Sequence, residues 1–266
     1  MKSEERHNEH AWDDLVRVGS SFANPARPAD FQNPELIINP FGWLKAPFRG
    51  KRILCLAAGG GRHGPLFAAE GAIVTVVDIS EEMLKLDRDV AQREGVSLKT
   101  LQCSMTELGE FGDSVFDIVL QPVSTCYVEK LAPVYAEIAR VIKPSGTYVS
   151  QHKQPVSLQA ATKPLASGGY ALCEPYYREG ALPQVAGSEH REFGTKEYLH
   201  TLEDLLGGLC IAGFSIDAVK EPRHGNPLSE SGSFQARSCF VPPYLAIKAT
   251  RLDEPSGSTL IWTPSN

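Results

Sequence analysis

The 266-residue chain has no apolar run near the roughly 20 residues needed to cross a bilayer. Its opening, "MKSEERHNEHAWDDL", is charged from the start, which argues against a signal peptide and against a membrane anchor. A basic cluster is also missing. Lys and Arg number 26 against 32 Asp and Glu, a formal charge of −6, which disfavours nucleic acid as a partner. The six cysteines (Cys55, Cys103, Cys126, Cys173, Cys210, Cys239) form no CxxC pair and no metal-ligand spacing, so neither a metal site nor a disulfide framework is expected. A reduced cytoplasmic protein, with no nucleic-acid or membrane partner, is the expectation.

What the chain does contain is a strand–helix rhythm. Residues 1–48 read as a helical cap: Trp12, Leu15, Val16 and Val18 form a stripe, followed by turns at Pro25, Pro28 and Pro34. Residues 49–151 alternate. Strand 52–56 leads into helix 64–70, and strand 73–77 closes on Asp78. Ser80 then caps a helix carrying Glu81 and Glu82 in its first turn and stopping at Gly95. Strands follow at 98–102 and 116–121, then helix 131–142, a Pro144–Gly146 turn and the strand "TYVSQ". Strands separated by helices imply a parallel sheet wound on both faces. Residues 152–190, rich in Gly, Pro, Ser and Tyr, read as a lid or insertion. Residues 191–251 return to the core, with a strand around "REFGTKEYLH", a helix "TLEDLLGGLCIAG" and strands "FSIDAVKEP" and "PYLAIKAT"; residues 252–266 form a polar tail.

The chemistry concentrates at "ILCLAAGGGRHG", residues 53–64. Gly59, Gly61 and Gly64 satisfy GxGxxG after a strand, and Asp78 lies about 20 residues on, at the next strand's end. In that geometry glycines let backbone N–H groups approach a ligand while the carboxylate accepts ribose hydroxyls. Both a dinucleotide and S-adenosylmethionine carry such a ribose.

Four further segments separate them. "DISEEML" (78–84), "FDIVLQPVSTCYV" (116–128), "YAEIARVIKPSGTYVS" (135–150) and "HTLEDLLGGLCIAGFSIDAVKEP" (200–222) stand in order, and over about residues 49–251 the chain resembles class I S-adenosylmethionine-dependent methyltransferases of small-molecule type. The resemblance implies an α/β, Rossmann-like, doubly wound sheet of seven mostly parallel strands, with an antiparallel terminal strand and helices on both faces. It implies S-adenosylmethionine as cofactor, held by Ala57, Ala58, Gly59, Gly61, Asp78, Ile79, Met83, Ser104, Met105, Gln121, Pro122 and Val123. An NAD(P)-dependent oxidoreductase is the weaker reading, since no second nucleotide-binding half follows. The chain departs from the family at Cys55 and Ser104, where an acid is usual, and at Ala57, where glycine is usual.

The implied reaction is direct in-line displacement onto a small-molecule methyl acceptor, where positioning supplies much of the rate. Candidate catalytic residues are His152 and Tyr127. Candidate acceptor contacts are Tyr127, His152, Tyr170, Tyr177 and His200, with Arg191 as a further orienting group, under an aromatic lid that includes Tyr176 and Phe193. His63 reads as a helix-start residue near the cofactor carboxylate. A non-catalytic S-adenosylmethionine sensor is the contender from another functional class, and the chain is expected to be a monomer or a homodimer.

Overall fold

The structure, a computed structural model, describes residues 3–185 and 188–253; most of the expected polar tail, residues 254–266, lies outside them. Helix α1 (Ser3–Arg17) and the short α2 (Glu35–Ile38) precede the core. The core runs β1 (Arg52–Leu56), α3 (His63–Ala69), β2 (Ile73–Asp78), α4 (Glu81–Glu94), β3 (Lys99–Gln102), β4 (Phe116–Gln121), α5 (Ala132–Val141) and β5 (Ile142–Lys153). Then come α6 (Pro155–Gln159), a π-helical turn (Glu203–Gly207) leading into α7 (Gly208–Ile211), β6 (Phe214–Lys220), α8 (Phe234–Arg237) and β7 (Tyr244–Arg251). The strands form one seven-stranded sheet in the order β3-β2-β1-β4-β5-β7-β6, in which β7 alone points opposite to the other six strands. The architecture is that expected from the sequence.

β1 shows why the sheet is central. Ile53 to Leu56 are all fully buried, as a parallel strand covered on both faces requires. Leu54 and Leu56 face the cluster built on α5 and α7, with Tyr135, Ile138 and Leu209. Ile53 and Cys55 face the opposite cluster, with Ile38, Phe48, Leu66 and Phe67. The two-residue alternation of a strand thus feeds both layers. The chain turns from β1 to β2 on one side and later to β4 on the other. That reversal opens a crevice at the carboxyl ends of these strands, where ligands of open α/β sheets sit. Helix α4 starts on Ser80, whose Oγ accepts the Met83 N–H at 3.1 Å, and ends at Gly95 in the left-handed conformation (φ +67°).

Two expectations fail here. No strand forms over residues 191–200. The Lys196 N–H donates to Asn8 Oδ1 (2.7 Å) and the Tyr198 N–H to the Cys126 carbonyl (2.7 Å), so this backbone is satisfied by α1 and the loop after β4 and not by a sheet edge. β5 is also much longer than "TYVSQ": it leaves α5 directly at Ile142 and continues to Lys153.

Candidate active site

The glycine bend is built on carboxylates. The Gly59 N–H donates to Asp78 Oδ2 (2.9 Å) and the Ser80 N–H to Asp78 Oδ1 (3.0 Å). Two turns into α4, Asp87 Oδ2 accepts the N–H groups of both Gly60 (2.9 Å) and Gly61 (3.0 Å). The bend therefore lies directly on α4. A Cβ on Gly59 would stand 2.8 Å from Met83 Cβ, and one on Gly61 would stand 2.7 Å from the Leu86 carbonyl oxygen, so neither position tolerates a side chain. Ala57, where the family usually has glycine, adopts φ +47°, the region that costs an L-residue roughly 1–2 kcal/mol. Burial pushes Asp78 up to about 6 against the pull of the Ser80 and Gly59 N–H groups, and pushes Asp87 up to about 7 against the Gly61 N–H. Neither acid forms an ion pair among the described residues, and Asp87 Oδ1 has no hydrogen-bond partner there.

Helix α1 lies across this edge on an acidic face that the sequence reading missed. Glu5 Oε1 accepts from Ser104 Oγ (2.7 Å) and Thr106 Oγ1 (2.9 Å). Glu9 accepts from Gln102 Nε2 (3.0 Å), and Asp13 accepts from Ser80 Oγ (2.6 Å) and the Glu82 N–H (3.3 Å). The spacing 5, 9, 13 is the signal that could have found them, because residues four apart share one helix face. The same helix grips the far side. Asn8 Nδ2 donates to the carbonyls of Tyr127 and Lys196 (3.1 Å each), and Trp12 meets the Tyr127 ring edge-on at 5.6 Å.

The remaining cofactor candidates surround the bend unevenly. Met83 is buried beneath Gly59 and Gly60, Ala58 is part of the core, and Ile79 is half-buried with its carbonyl bonded to Gln102 Nε2 (2.9 Å). Met105 is core, its sulfur accepting from Gln121 Nε2 at 3.3 Å. Gln121 itself is consumed by Tyr148 Oη (2.6 Å) and Ser124 Oγ (3.0 Å), leaving only its backbone for a ligand. Pro122 and Val123 are half-buried on the loop beyond β4.

The acceptor candidates do not converge. His152 is fully buried, with Nδ1 bonded to Thr125 Oγ1 (2.8 Å) and Nε2 to Ser150 Oγ (2.7 Å). Burial pushes it down to about 3, so it is a neutral clip between strand and loop and not an accessible base. His200 Nε2 sits 3.0 Å from the carbonyls of both Thr125 and Val128, which fixes the loop after β4 and occupies the group expected to orient substrate. Tyr127 is buried, and desolvation beside the charge of Glu192 holds its hydroxyl well above the usual range. Tyr177 is 83% exposed against Tyr176, and Tyr170 packs on Phe240 and Arg237. The buried polar groups of this region are instead paired with one another and with backbone. Lys153 Nζ bonds Glu192 (2.5 Å) and Glu197, Arg191 bonds Glu197, and fully buried Arg237 donates to Ser157, Ala160 and Ala161.

Residues 54–150 match the family described as a methyltransferase domain. The chain is 34% identical over 242 residues to the uncharacterized methyltransferase YbaJ of Bacillus subtilis (strain 168), spanning 84% of this chain and 92% of that one. This chain belongs to the class I S-adenosylmethionine-dependent methyltransferases. The methyltransferase fold is shared with an S-adenosylmethionine dependent methyltransferase from Mesorhizobium loti (TM-score 0.64, 21% identity, 78% of this chain and 94% of that one). It is shared too with geranyl diphosphate C-methyltransferase from Streptomyces coelicolor A3(2) (TM-score 0.62, 13% identity, 94% and 99%).

The methyltransferase's residues fit its cofactor, S-adenosylmethionine, in sign and shape. Each Asp78 oxygen holds a backbone N–H and keeps a lone pair that a ribose hydroxyl can use. An acid with no cation beside it among the described residues, rimmed by Glu9 and Asp13, suits a ligand bearing a positive sulfonium and an ammonium. One sequence expectation changes and one departure is explained. The N–H groups of Gly59, Gly60 and Gly61 are taken by Asp78 and Asp87, so they shape the site and are not aimed at the ligand. Cys55, at the family's acidic position, is a fully buried sheet residue that offers the cofactor nothing. Among the described residues no helix is long and apolar enough to cross a membrane.

Proposed function

We propose that this methyltransferase methylates a small, uncharged acceptor, with Asp78 holding the cofactor ribose and the acidic face of α1 closing over the adenosine end. When bound, the cofactor supplies a methyl group already activated on a positive sulfur. The protein's part is to orient and to exclude water. Positioning of this kind is worth roughly 7–11 kcal/mol. The dispersal of His152, Tyr127 and His200 into structural bonds favours a reaction driven by placement over one driven by a charged base. Six unpaired thiols support a cytoplasmic location.

The observation that carries this reading is the uncompensated Asp78 at the end of β2, tied to the glycine bend. Calorimetric titration with S-adenosylhomocysteine tests it. The wild type is expected to bind, and Asp78→Asn to bind at least tenfold more weakly at pH 7.5, while NADH gives no heat with either. Because Asp78 titrates near 6 and accepts hydroxyl hydrogens best when ionised, affinity should fall as pH drops through 6. Equal binding by both proteins would remove the ribose assignment.

A further inference from the structure

The edge of the sheet opposite the cofactor crevice carries a cavity of about 380 Å³, where β1 and β4 begin and the antiparallel β7 ends. Four lysines line it from four separate segments: Lys45 in the loop before β1, Lys51 next to its first residue, Lys143 at the start of β5 and Lys248 on β7. One carboxylate, Asp117, lines it with them. The lining thus holds an excess of three positive charges, on a chain whose formal charge is −6.

A distortion of the sheet builds one wall. Phe116 pairs with Ile142 and Ile118 with Thr147, so residues 143–146 of β5 bulge out of the ladder opposite the single residue Asp117. Ser145 takes φ +60° there, and a Cβ on Gly146 would stand 2.7 Å from the Lys143 carbonyl oxygen. Asp117 accepts from Lys143 Nζ (2.6 Å) and from the Arg52 N–H (2.8 Å). Partial burial opposes its charge, but Lys143, the Arg52 N–H and the nearby charge of Lys51 hold this acid below the usual carboxylate range. It answers only part of the lysine charge. Lys51 donates to the Lys45 carbonyl (2.6 Å), Lys248 keeps a long contact of 3.7 Å with Asp217, and the Lys45 ammonium has no partner among the described residues. No arginine lines the cavity among the described residues. A planar carboxylate is best matched by the forked guanidinium, whereas ammonium groups act as point charges and suit the tetrahedral oxygens of phosphate. One phosphate group brings about −1.5 to −2 near neutral pH, so offsetting an excess of three takes two.

We propose that this cavity is a second ligand site, separate from the cofactor crevice, for a small molecule carrying a diphosphate group. Such a ligand binds whether or not the crevice takes S-adenosylmethionine. Calorimetric titration of the full chain, at fixed ionic strength because salt screens such contacts, compares inorganic pyrophosphate, orthophosphate, citrate and uridine diphosphate. Each is titrated without and with saturating S-adenosylhomocysteine. Pyrophosphate should bind at least tenfold tighter than orthophosphate or citrate, and undiminished when S-adenosylhomocysteine is present. Lys45→Gln, at an exposed side chain, should weaken it about threefold, and Lys45→Gln with Lys143→Gln at least tenfold. Lys163→Gln, an exposed lysine outside the cavity, should change it less than twofold. Binding of S-adenosylhomocysteine should stay within twofold in all of these variants, which also reports that they fold.

Displacement of pyrophosphate by S-adenosylhomocysteine would assign the binding to the cofactor crevice and overturn the proposal. So would equal affinity for orthophosphate or citrate, or a loss in Lys163→Gln as large as in the double variant. Tighter binding of uridine diphosphate, reduced by Trp43→Ala in the cavity wall, would place a nucleoside beyond the diphosphate; tighter binding of pyrophosphate would make the free anion the ligand, and both outcomes sustain the site. Failure of S-adenosylhomocysteine to bind beside a normal pyrophosphate preference would sink the functional reading and leave this site standing.

Discussion

Two pairs of buried carboxylates flank the sheet's carboxyl edge, and they are neutralised in opposite ways. Glu192 and Glu197 meet Lys153 and Arg191, two charges against two. Among the described residues Asp78 and Asp87 meet only backbone N–H groups, and burial drives both upward in pKa. The first pair is internally balanced and has little capacity for a ligand. The second has no cation among the described residues to balance it. Burial alone therefore does not mark a binding carboxylate. The identity of its partners does.

That contrast can be broken most forcefully at Lys153. Lys153→Met leaves Glu192 without its cation and should cost about 3–5 kcal/mol, read as a large fall in melting temperature. If stability were unchanged, the balanced cluster would not be what holds β5 to residues 191–197.

The second test is pH. Asp87 titrates near 7 when folded and near 3.8 when unfolded, so between those values the folded state holds the extra proton. Stability contributed by this group is thus greatest below about 4 and is lost as pH rises through 7. Thermal melts should show Asp87→Asn closest to wild type at pH 4 and exceeding it by a margin that grows up to about pH 7 and then levels off. A margin that shrinks as pH rises would refute the account.

The smallest effect is at the bend. Ala57→Gly removes the cost of φ +47° and should raise stability by about 0.5–1 kcal/mol, a shift of a few degrees.

What was legible in the sequence was local. The β1–α3–β2–α4 unit could be read because its strands, its Ser80 cap and its Gly95 stop are specified by neighbours in the chain. The acid at Asp78 was legible for the same reason. The histidines were not, since each is defined by a distant partner: His152 by Thr125, 27 residues away, and His200 by Thr125, 75 residues away. The false strand at 191–200 has a similar cause. Its alternating pattern is real, but Glu192, Thr195 and Glu197 are buried by ion pairs and by α1, not by sheet pairing. The acidic face of α1 was within reach of a four-residue count; which surface it would meet was not.

Asp87 has a consequence for how tightly anything can be held nearby. Three successive glycines would ordinarily be the most supple part of a chain, and a guest settling on them would have to freeze them first. Here one carboxylate oxygen already restrains two of them from below. The freezing happens once, when the polypeptide folds, and a visitor arriving later finds a surface that has no wandering left to give up.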